Sequence, residues 1–486
     1  MSAADTHLVG RLGKCLRNPN DELHRKVDFI MYNKTMDLQI TFWGGVGTVT
    51  GANFLMENSR VKILVDCGLL QGVPGAGDEN QKQFPYDPKT INLLFITHAH
   101  MDHIGRVGKL VRDGFRGTIY STPETREIAD AMIQDALKVM DDKNSEMIAP
   151  LYDMDDFNET MRLWKTIPYH AQTDLPGGFS VYLKDAGHIL GAAMYEFSHN
   201  GKKIVFTGDS GNSPSPLLRD TEKITDANYL IMDSVYGDRN HEPKEERDAK
   251  FEKVIKETIA KGGTVLIPSF SIERTQVMLY ELNNLVENKK VPSVPVFLDS
   301  PLGEKVTQIY AHSTQDFNPA VQNQIKQGDN IFNFPKLSIT HSRGESQKIA
   351  LIQGPKIIIS GSGMSSGGRV MGHEIHYLPD PKNTLLLVGF QAVGTLGRRI
   401  QEKPKEVEIQ GQTIPVKARI EMISGYSSHK DSDHLVAMVE DTEKSLKKAF
   451  VVMGEPKSSM HIVQRLRDEL EIDAVYPERG RVYELN

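Results

Sequence analysis

The segment Thr97-His98-Ala99-His100-Met101-Asp102-His103 constrains this chain more than any other stretch. It follows directly on the apolar run 92–97, which reads as a buried strand, and it offers four potential metal ligands within six residues. Histidine and aspartate are costly to bury unpaired, and strand ends are where layered α/β folds place chemistry. Alternation along an extended segment sends His98 and His100 to one side. A turn into a helix near Asp102 then brings Asp102 and His103 to the same cleft, an arrangement better suited to two adjacent cations than to one. Only two cysteines, Cys15 and Cys67, occur in 486 residues, with no CxxC pair. A disulfide framework and a closed thiolate zinc site are therefore excluded. Imidazole and carboxylate donors suit Zn²⁺, with Mn²⁺ or iron as alternatives, in an open site where water fills the remaining position.

The same form recurs along the chain. Asp66 ends the strand-like run 62–65, His188 sits between glycines after the run 181–186, and Asp209 ends the run 203–207. A carboxylate such as Asp209 can bridge two ions, which a histidine cannot. Cys67, beside Asp66, reads as a small buried residue, and the methionines between Met132 and Met140 read as helix packing. From residue 36 to 236 short β-rich runs alternate with Gly-rich turns, followed by alternating helices and fully apolar strands, the pattern of a parallel sheet. Near Lys405 the β-rich texture returns. The economical division is an N-terminal extension over 1–36, an outer domain over 37–237 and 405–486, and an insert over 238–404. The balance of 57 Lys+Arg against 64 Asp+Glu, net charge −7, excludes a strongly basic DNA-coating protein. The opening residues lack the apolar core of a signal peptide, and no run of about 18 apolar residues occurs. The expectation is a soluble protein of the reducing cytosol.

Taken together, Asp66, the histidine cluster at 98–103, His188 and Asp209 resemble the first four motifs of the metallo-β-lactamase fold. Asp233-Ser234-Val235-Tyr236-Gly237-Asp238-Arg239 resembles the acidic motif opening the β-CASP domain of nucleic-acid-processing members, and Gly425-Tyr426-Ser427-Ser428-His429-Lys430-Asp431 their last histidine motif. The resemblance spans about 37–486 and implies an α/β architecture: an αββα metallo-β-lactamase sandwich with an inserted α/β β-CASP domain. It further implies two Zn²⁺ ions (Mn²⁺ as the alternative), one held by His98, His100, His188 and Asp209, the other by Asp102, His103, Asp209 and His429. Asp66 would orient a ligand imidazole, and Asp233 would do the same for His429. Catalysis would then rest on Asp66, Asp102, Asp209, Asp233 and His429. Family members that cut RNA carry histidine where this chain has His429, whereas DNA-repair members have valine.

That resemblance implies a zinc-dependent ribonuclease acting on single-stranded RNA, endonucleolytic with 5′-exonuclease activity as a further mode. A small-molecule metallohydrolase and a non-catalytic RNA-processing scaffold are the alternatives. Eukaryotic 3′-end-processing relatives have a histidine where this chain has Arg399, which stays protonated and makes a poor general acid. His373 and His376 are the candidate replacements. The Gly/Ser loop 360–369 would grip phosphate through Ser362 and Ser365 and its backbone. Arg274, Arg369, Arg398 and Arg399 would line the cleft and reconcile an acidic chain with a polyanion. With no membrane segment and no appended RNA-binding domain in the pattern, targeting is expected to involve a partner or a homodimer.

Overall fold

The computed structural model describes residues 38–142 and 150–486; the expected extension over 1–36 lies outside them. Two seven-stranded sheets stack face to face. The first runs Val482–Glu484, Gln39–Phe42, Phe54–Glu57, Lys62–Val65, Leu93–Phe95, Thr118–Ser121, Trp164–Thr166. The second runs Ala474–Val475, Lys448–Val451, Tyr229–Met232, Lys202–Phe206, Ala193–His199, Phe179–Asp185, Thr173–Leu175. Period-two alternation puts Ile63, Val65 and Phe95 of one sheet against Phe197, Phe206 and Ile231 of the other. Phe95 meets Phe197 edge-on at 5.0 Å. Burying each such ring contributes about 1.5–3 kcal/mol. The opposite faces, Leu64, Leu94 and Ile96 on one sheet and Leu230 and Met232 on the other, belong to a second buried cluster with helical residues such as Leu110, Ile128, Leu435 and Ile462. This is the αββα sandwich.

The insert carries a six-stranded, all-parallel sheet in the order Leu337–Ile339, Val296–Asp299, Lys356–Ser360, Thr264–Pro268, Thr384–Leu387, Arg419–Met422. Its four central strands are buried along their whole length because helices cover them, among them Lys244–Ala260, Arg274–Glu287, Pro301–His312 and Val370–Tyr377, whereas the edge strands Leu337–Ile339 and Arg419–Met422 are partly exposed. The last strand moves one boundary. Arg419–Met422 pairs in parallel with Thr384–Leu387, and Val407, Ile409 and Ile414 of the hairpin before it pack in the insert's core. The chain therefore returns to the outer domain near 423, not at 405. The β-rich texture read there as the outer domain belongs to the insert, whose edge it completes.

The layout dictates where chemistry can gather. Asp66, His98, Asp209 and Asp233 each lie just past the carboxyl end of a strand. On the insert, the loops after Thr264–Pro268, Lys356–Ser360 and Thr384–Leu387 likewise leave carboxyl ends, where helix-covered parallel sheets open a crevice.

Candidate metal centre and substrate cleft

His98 and His100 flank Ala99 past the strand Leu93–Phe95, and Asp102 and His103 lie in the short helix Met101–Ile104 that follows. The chain can fold so tightly because Gly68 admits the helix: a Cβ there would stand 1.4 Å from the carbonyl oxygen of Asp102. Backbone bonds from Cys67 N–H to His103 O and from Leu69 N–H to Met101 O fasten the two segments, at 2.8 and 2.9 Å.

Asp66, fully buried, orders this loop. Its Oδ1 accepts from Thr97 N–H, and its Oδ2 accepts from Thr97 Oγ1–H and His103 Nδ1–H, all at 2.8 Å. In the neutral ring, His103 Nε2 is thereby left as the lone-pair atom. Thr97 Oγ1, having given its proton to Asp66, accepts from His98 Nδ1–H at 3.0 Å, which frees His98 Nε2. His188 Nδ1–H donates to the carbonyl of Ser428 at 3.1 Å and frees its Nε2. Three of the imidazoles are thus preset in one tautomer, with the other nitrogen aimed inward.

Those inward atoms converge. His100 Nδ1 lies 3.1 Å from His98 Nε2 and 3.3 Å from His188 Nε2. Asp209 presents Oδ2 to His98 Nε2 and His188 Nε2, each at 3.6 Å, and Oδ1 to His103 Nε2 at 3.5 Å. Asp102 Oδ2 stands 3.7 Å from His103 Nε2. His429 Nδ1 lies 3.8 Å from Asp209 and 3.9 Å from Asp233. Four buried atoms here, His103 Nε2, Asp209 Oδ1, Asp233 Oδ2 and His429 Nδ1, make no hydrogen bond. Separations of 3.5–3.9 Å are too long for hydrogen bonds, but donors about 2.0–2.1 Å from one tetrahedral Zn²⁺ lie about 3.3 Å apart. The nitrogen and carboxylate set, its orphaned atoms and its spacing fit divalent cations. One group is His98, His100, His188 and Asp209; a second is Asp102, His103 and Asp209; a third joins Asp209, Asp233 and His429. His429 thus stands with Asp233 as much as with Asp102 and His103, and Asp233 offers a donor atom of its own where an orienting role was expected.

Electrostatics divide the donor set: although burial opposes it, the carboxylates of Asp209, Asp66 and Asp102 raise His103 well above the imidazole range, and Asp233 and Asp209 raise His429. Burial pushes the pKa of His98 and His188 well below the usual imidazole range and that of His100 down to about 3, so all three present lone pairs at neutral pH. Burial raises Asp102 to about 6. For Asp209, burial opposes ionisation, but His103 and the other imidazoles outweigh it and hold the carboxyl well below its usual range. Cys67 is buried, and burial lifts its thiol to about 12, consistent with packing.

A cavity of about 390 Å³ opens over these groups, with His100, Asp102, Asp209 and His429 on its floor. The insert roofs it with Phe270, Arg274, Ser362 and Phe390, and Met132, packed against the core, reaches its wall. Arg274 is 5% exposed, its Nε is unbonded, and its guanidinium makes no ion pair or hydrogen bond among the described residues. Burial lowers its pKa to about 10, which still leaves it charged at neutrality. The neighbouring Glu273 carboxyl offsets part of that burial but makes no ion pair with the guanidinium, which lines the cavity.

Four of the expected phosphate contacts, Ser365, Arg369, Arg398 and Arg399, lie elsewhere. Ser365 is fully buried and its hydroxyl donates to Glu374 beneath the loop, whereas Ser362 and Ser366 line the cavity. Arg369 donates to Asp299 at 2.7 Å and to the carbonyls of Thr340 and His341. Its partner Asp299 is fully buried and also accepts from His373 Nε2–H at 2.6 Å, so Arg369 and His373 brace the Gly/Ser loop from behind. Arg399 is exposed on the helix Leu396–Gln401, Arg398 pairs with Glu402 at 3.4 Å, and His376 is exposed; none of them lines the cavity. An arginine or histidine near a Gly-rich motif gives no hint of which side of the loop it occupies. Thr97 and the Ser428 carbonyl, which set the histidine tautomers, left no mark in the sequence at all.

Family models place this architecture. A metallo-β-lactamase superfamily domain matches residues 55–228, a β-CASP domain 275–400, and a Zn-dependent metallo-hydrolase RNA specificity domain 413–477. A ribonuclease of Thermus thermophilus is 34% identical over 399 residues, 82% of this chain and 90% of the relative. The transcription termination factor FttA of Methanosarcina mazei is 30% identical over 466 residues, 92% of this chain and 72% of that protein. An RNase J-like protein of Methanocaldococcus jannaschii is 29% identical over 449 residues, 91% and 99% of the two chains. A solved structure of unknown function from Enterococcus faecalis shares the fold at TM-score 0.54 and 13% identity, covering 92% of this chain and all of that one. With its αββα sandwich, its inserted parallel-sheet domain and this extent of identity, the chain belongs to the β-CASP ribonucleases of the metallo-β-lactamase superfamily.

Proposed function

We propose that this protein is a zinc-dependent ribonuclease that hydrolyses phosphodiester bonds of single-stranded RNA, cutting internally and, at free 5′ ends, exonucleolytically. One observation carries the reading: the two oxygens of Asp209 face two separate donor groups, in a cavity also lined by a buried arginine that makes no ion pair. His98, His100, His188 and Asp209 would hold one cation, and Asp102, His103 and Asp209 the other, with His429 and Asp233 beside them. Two such cations supply activation of water and neutralisation of charge on the scissile phosphate. The remaining work falls to side chains of the cleft. Arg274 pairs with a phosphate, Ser362 and Ser366 offer hydroxyl donors, and Phe270 and Phe390 present rings on which unpaired bases stack. Among the described residues lining the cavity, none outside the ligand groups titrates near neutrality, so the departing oxygen takes its proton from one of those groups or from solvent.

The test is product analysis on RNA labelled internally and blocked at both ends, with Zn²⁺ or Mn²⁺ supplied. Metal-dependent internal fragments are expected, together with mononucleotides once the 5′ block is removed. Zinc-loaded protein that leaves RNA intact but hydrolyses a thioester would overturn the assignment.

A further inference from the structure

Arg274 owes its position to an unusual piece of backbone. The residue before it, Glu273, has φ +58° and ψ −54°, and Arg274 N–H donates to the carbonyl of Ile272 at 2.7 Å. This is a γ-turn centred on a non-glycine residue in the left-handed half of φ space, a rare and strained conformation that persists only where its surroundings impose it. It lets Phe270, Ile272 and Arg274 all reach the cavity within five residues, immediately before the helix Arg274–Glu287.

What imposes the turn is visible on its far side. Glu273 is 4% exposed, and its Oε2 accepts from Tyr310 Oη–H at 2.7 Å. Tyr310, fully buried in the helix Pro301–His312, accepts in turn from the backbone N–H of Leu190 at 3.0 Å. Leu190 belongs to the outer domain and stands two residues after His188. A three-member relay therefore runs from the loop carrying a metal-binding candidate, across the domain boundary, to the turn that aims the unpaired arginine. No member touches the cavity floor, and the metal groups do not use any of them.

We propose that Glu273 and Tyr310 are positioning residues, which hold Arg274 of the insert in register with the His188 loop of the outer domain so that a substrate phosphate meets both at once. The inference rests on the reading of Arg274 as a phosphate contact. A phenolic hydroxyl suits the task because it donates to the carboxylate and accepts from the amide through one atom, on a rigid ring.

The experiment compares Tyr310→Phe, Glu273→Gln, Glu273→Gly, Arg274→Gln and the double variant Tyr310→Phe/Arg274→Gln, each loaded with zinc and checked for metal content and melting temperature. The readout is binding of a single-stranded RNA oligonucleotide across a salt series. Arg274→Gln is expected to flatten the slope of log K against log salt by about 0.7, the loss of one phosphate contact. Tyr310→Phe should reproduce most of that flattening at unchanged zinc stoichiometry, with KM for RNA rising about tenfold and kcat changing less. The double variant should be no worse than Arg274→Gln alone, since both act through one contact. Glu273→Gln, which keeps an oxygen acceptor, should restore binding to within about twofold of the parent. Glu273→Gly keeps the backbone turn but removes the carboxylate, so it should match Tyr310→Phe and supplies the answer if that variant folds poorly. A Tyr310→Phe slope equal to the parent's while Arg274→Gln flattens, or effects that multiply in the double variant, would overturn the relay and leave the phosphate reading standing. An unchanged slope in Arg274→Gln would remove the phosphate reading itself, and the relay with it.

Discussion

Asp66→Asn alters one oxygen and leaves the volume of the site unchanged, yet it should dismantle the second donor group. Asp66 accepts three hydrogen bonds at 2.8 Å: Thr97 N–H on Oδ1, and Thr97 Oγ1–H and His103 Nδ1–H on Oδ2. The backbone N–H of Thr97 cannot turn into an acceptor, so the new amide must place its carbonyl there and its NH₂ against His103. His103 Nδ1 then has to accept, its proton moves to Nε2, and the lone pair that faced Asp209 at 3.5 Å is lost. The opposite amide orientation sets NH₂ against Thr97 N–H and is worse. Replacing an orienting partner of a metal ligand costs about 10–100-fold in metal affinity, or about 1.4–2.7 kcal/mol. Loss of charge-assisted hydrogen bonding to a buried imidazole should cost the metal-free fold about 1.5–3 kcal/mol besides. Competition titration with a chromophoric chelator measures the first effect and urea unfolding of the apo-protein the second. The group containing His98, His100 and His188 should keep its cation, so bound metal should fall from two equivalents towards one. Two equivalents held at parental affinity would refute the tautomer argument.

Three further outcomes follow from neighbouring geometry. Gly68→Ala should push the helix Met101–Ile104 off its seat, since the added carbon would stand 1.4 Å from Asp102 O; we expect a loss of metal binding and at least about 1–3 kcal/mol of stability, read by metal analysis and denaturant unfolding. Glu374 is buried with Oε2 unbonded, and burial raises its pKa to about 8. The fold therefore disfavours the carboxylate, and native stability should fall by up to about 1.4 kcal/mol per pH unit as pH rises from the unfolded value near 4 to about 8. Glu374→Gln should melt like the parent at pH 4 and progressively above it towards pH 8; parallel melting curves at all pH values would contradict this. Arg399→His, on an exposed helix face away from the cavity, should leave both metal content and the pH–rate profile of RNA cleavage unchanged, and a shifted profile would place that residue at the leaving group after all.

Local chemistry was readable in the chain because the histidine cluster and the strand-end aspartates carry their signal in residue type and short spacing. The alternation of short β-rich runs, then apolar strands with helices, was enough to anticipate an outer domain interrupted by a parallel sheet, while the sandwich was implied by the family resemblance. Two kinds of information were not legible. One is which surface of a loop a side chain occupies: Ser362 and Ser365 look equivalent in Ser-Gly-Ser-Gly-Met-Ser-Ser, yet one lines the cavity while the other is buried on Glu374. The other is partnership across long separations. Glu273 with Tyr310, or Asp299 with Arg369 and His373, are ordinary residues until the fold brings them within 3 Å. The hairpin at 406–415 misled for a related reason: a β-rich run says nothing about which sheet will accept the strand after it, and Arg419–Met422 found a free parallel edge in the insert.

The cleft is assembled from two domains whose three sheets use the same physical device in opposition. Parallel strands deliver their carboxyl ends to the gap, one side supplying donor atoms that fit cations at His98, Asp209 and Asp233, the other supplying hydrogen-bond donors at Arg274 and the Gly/Ser loop. Neither half suffices. The floor alone would attract cations without discriminating what they act upon, and the roof alone is a buried positive charge that destabilises the fold until an anion arrives. Charge complementarity is thus local, and under the proposed function it would let a chain of net charge −7 accept a polyanion: a phosphate entering here would meet a floor neutralised by cations and a guanidinium free to pair with it. Because these opposing charges sit on separate domains, their registry depends on contacts that cross the boundary, and the Leu190–Tyr310–Glu273 relay joins the two sides within a few ångströms of the arginine.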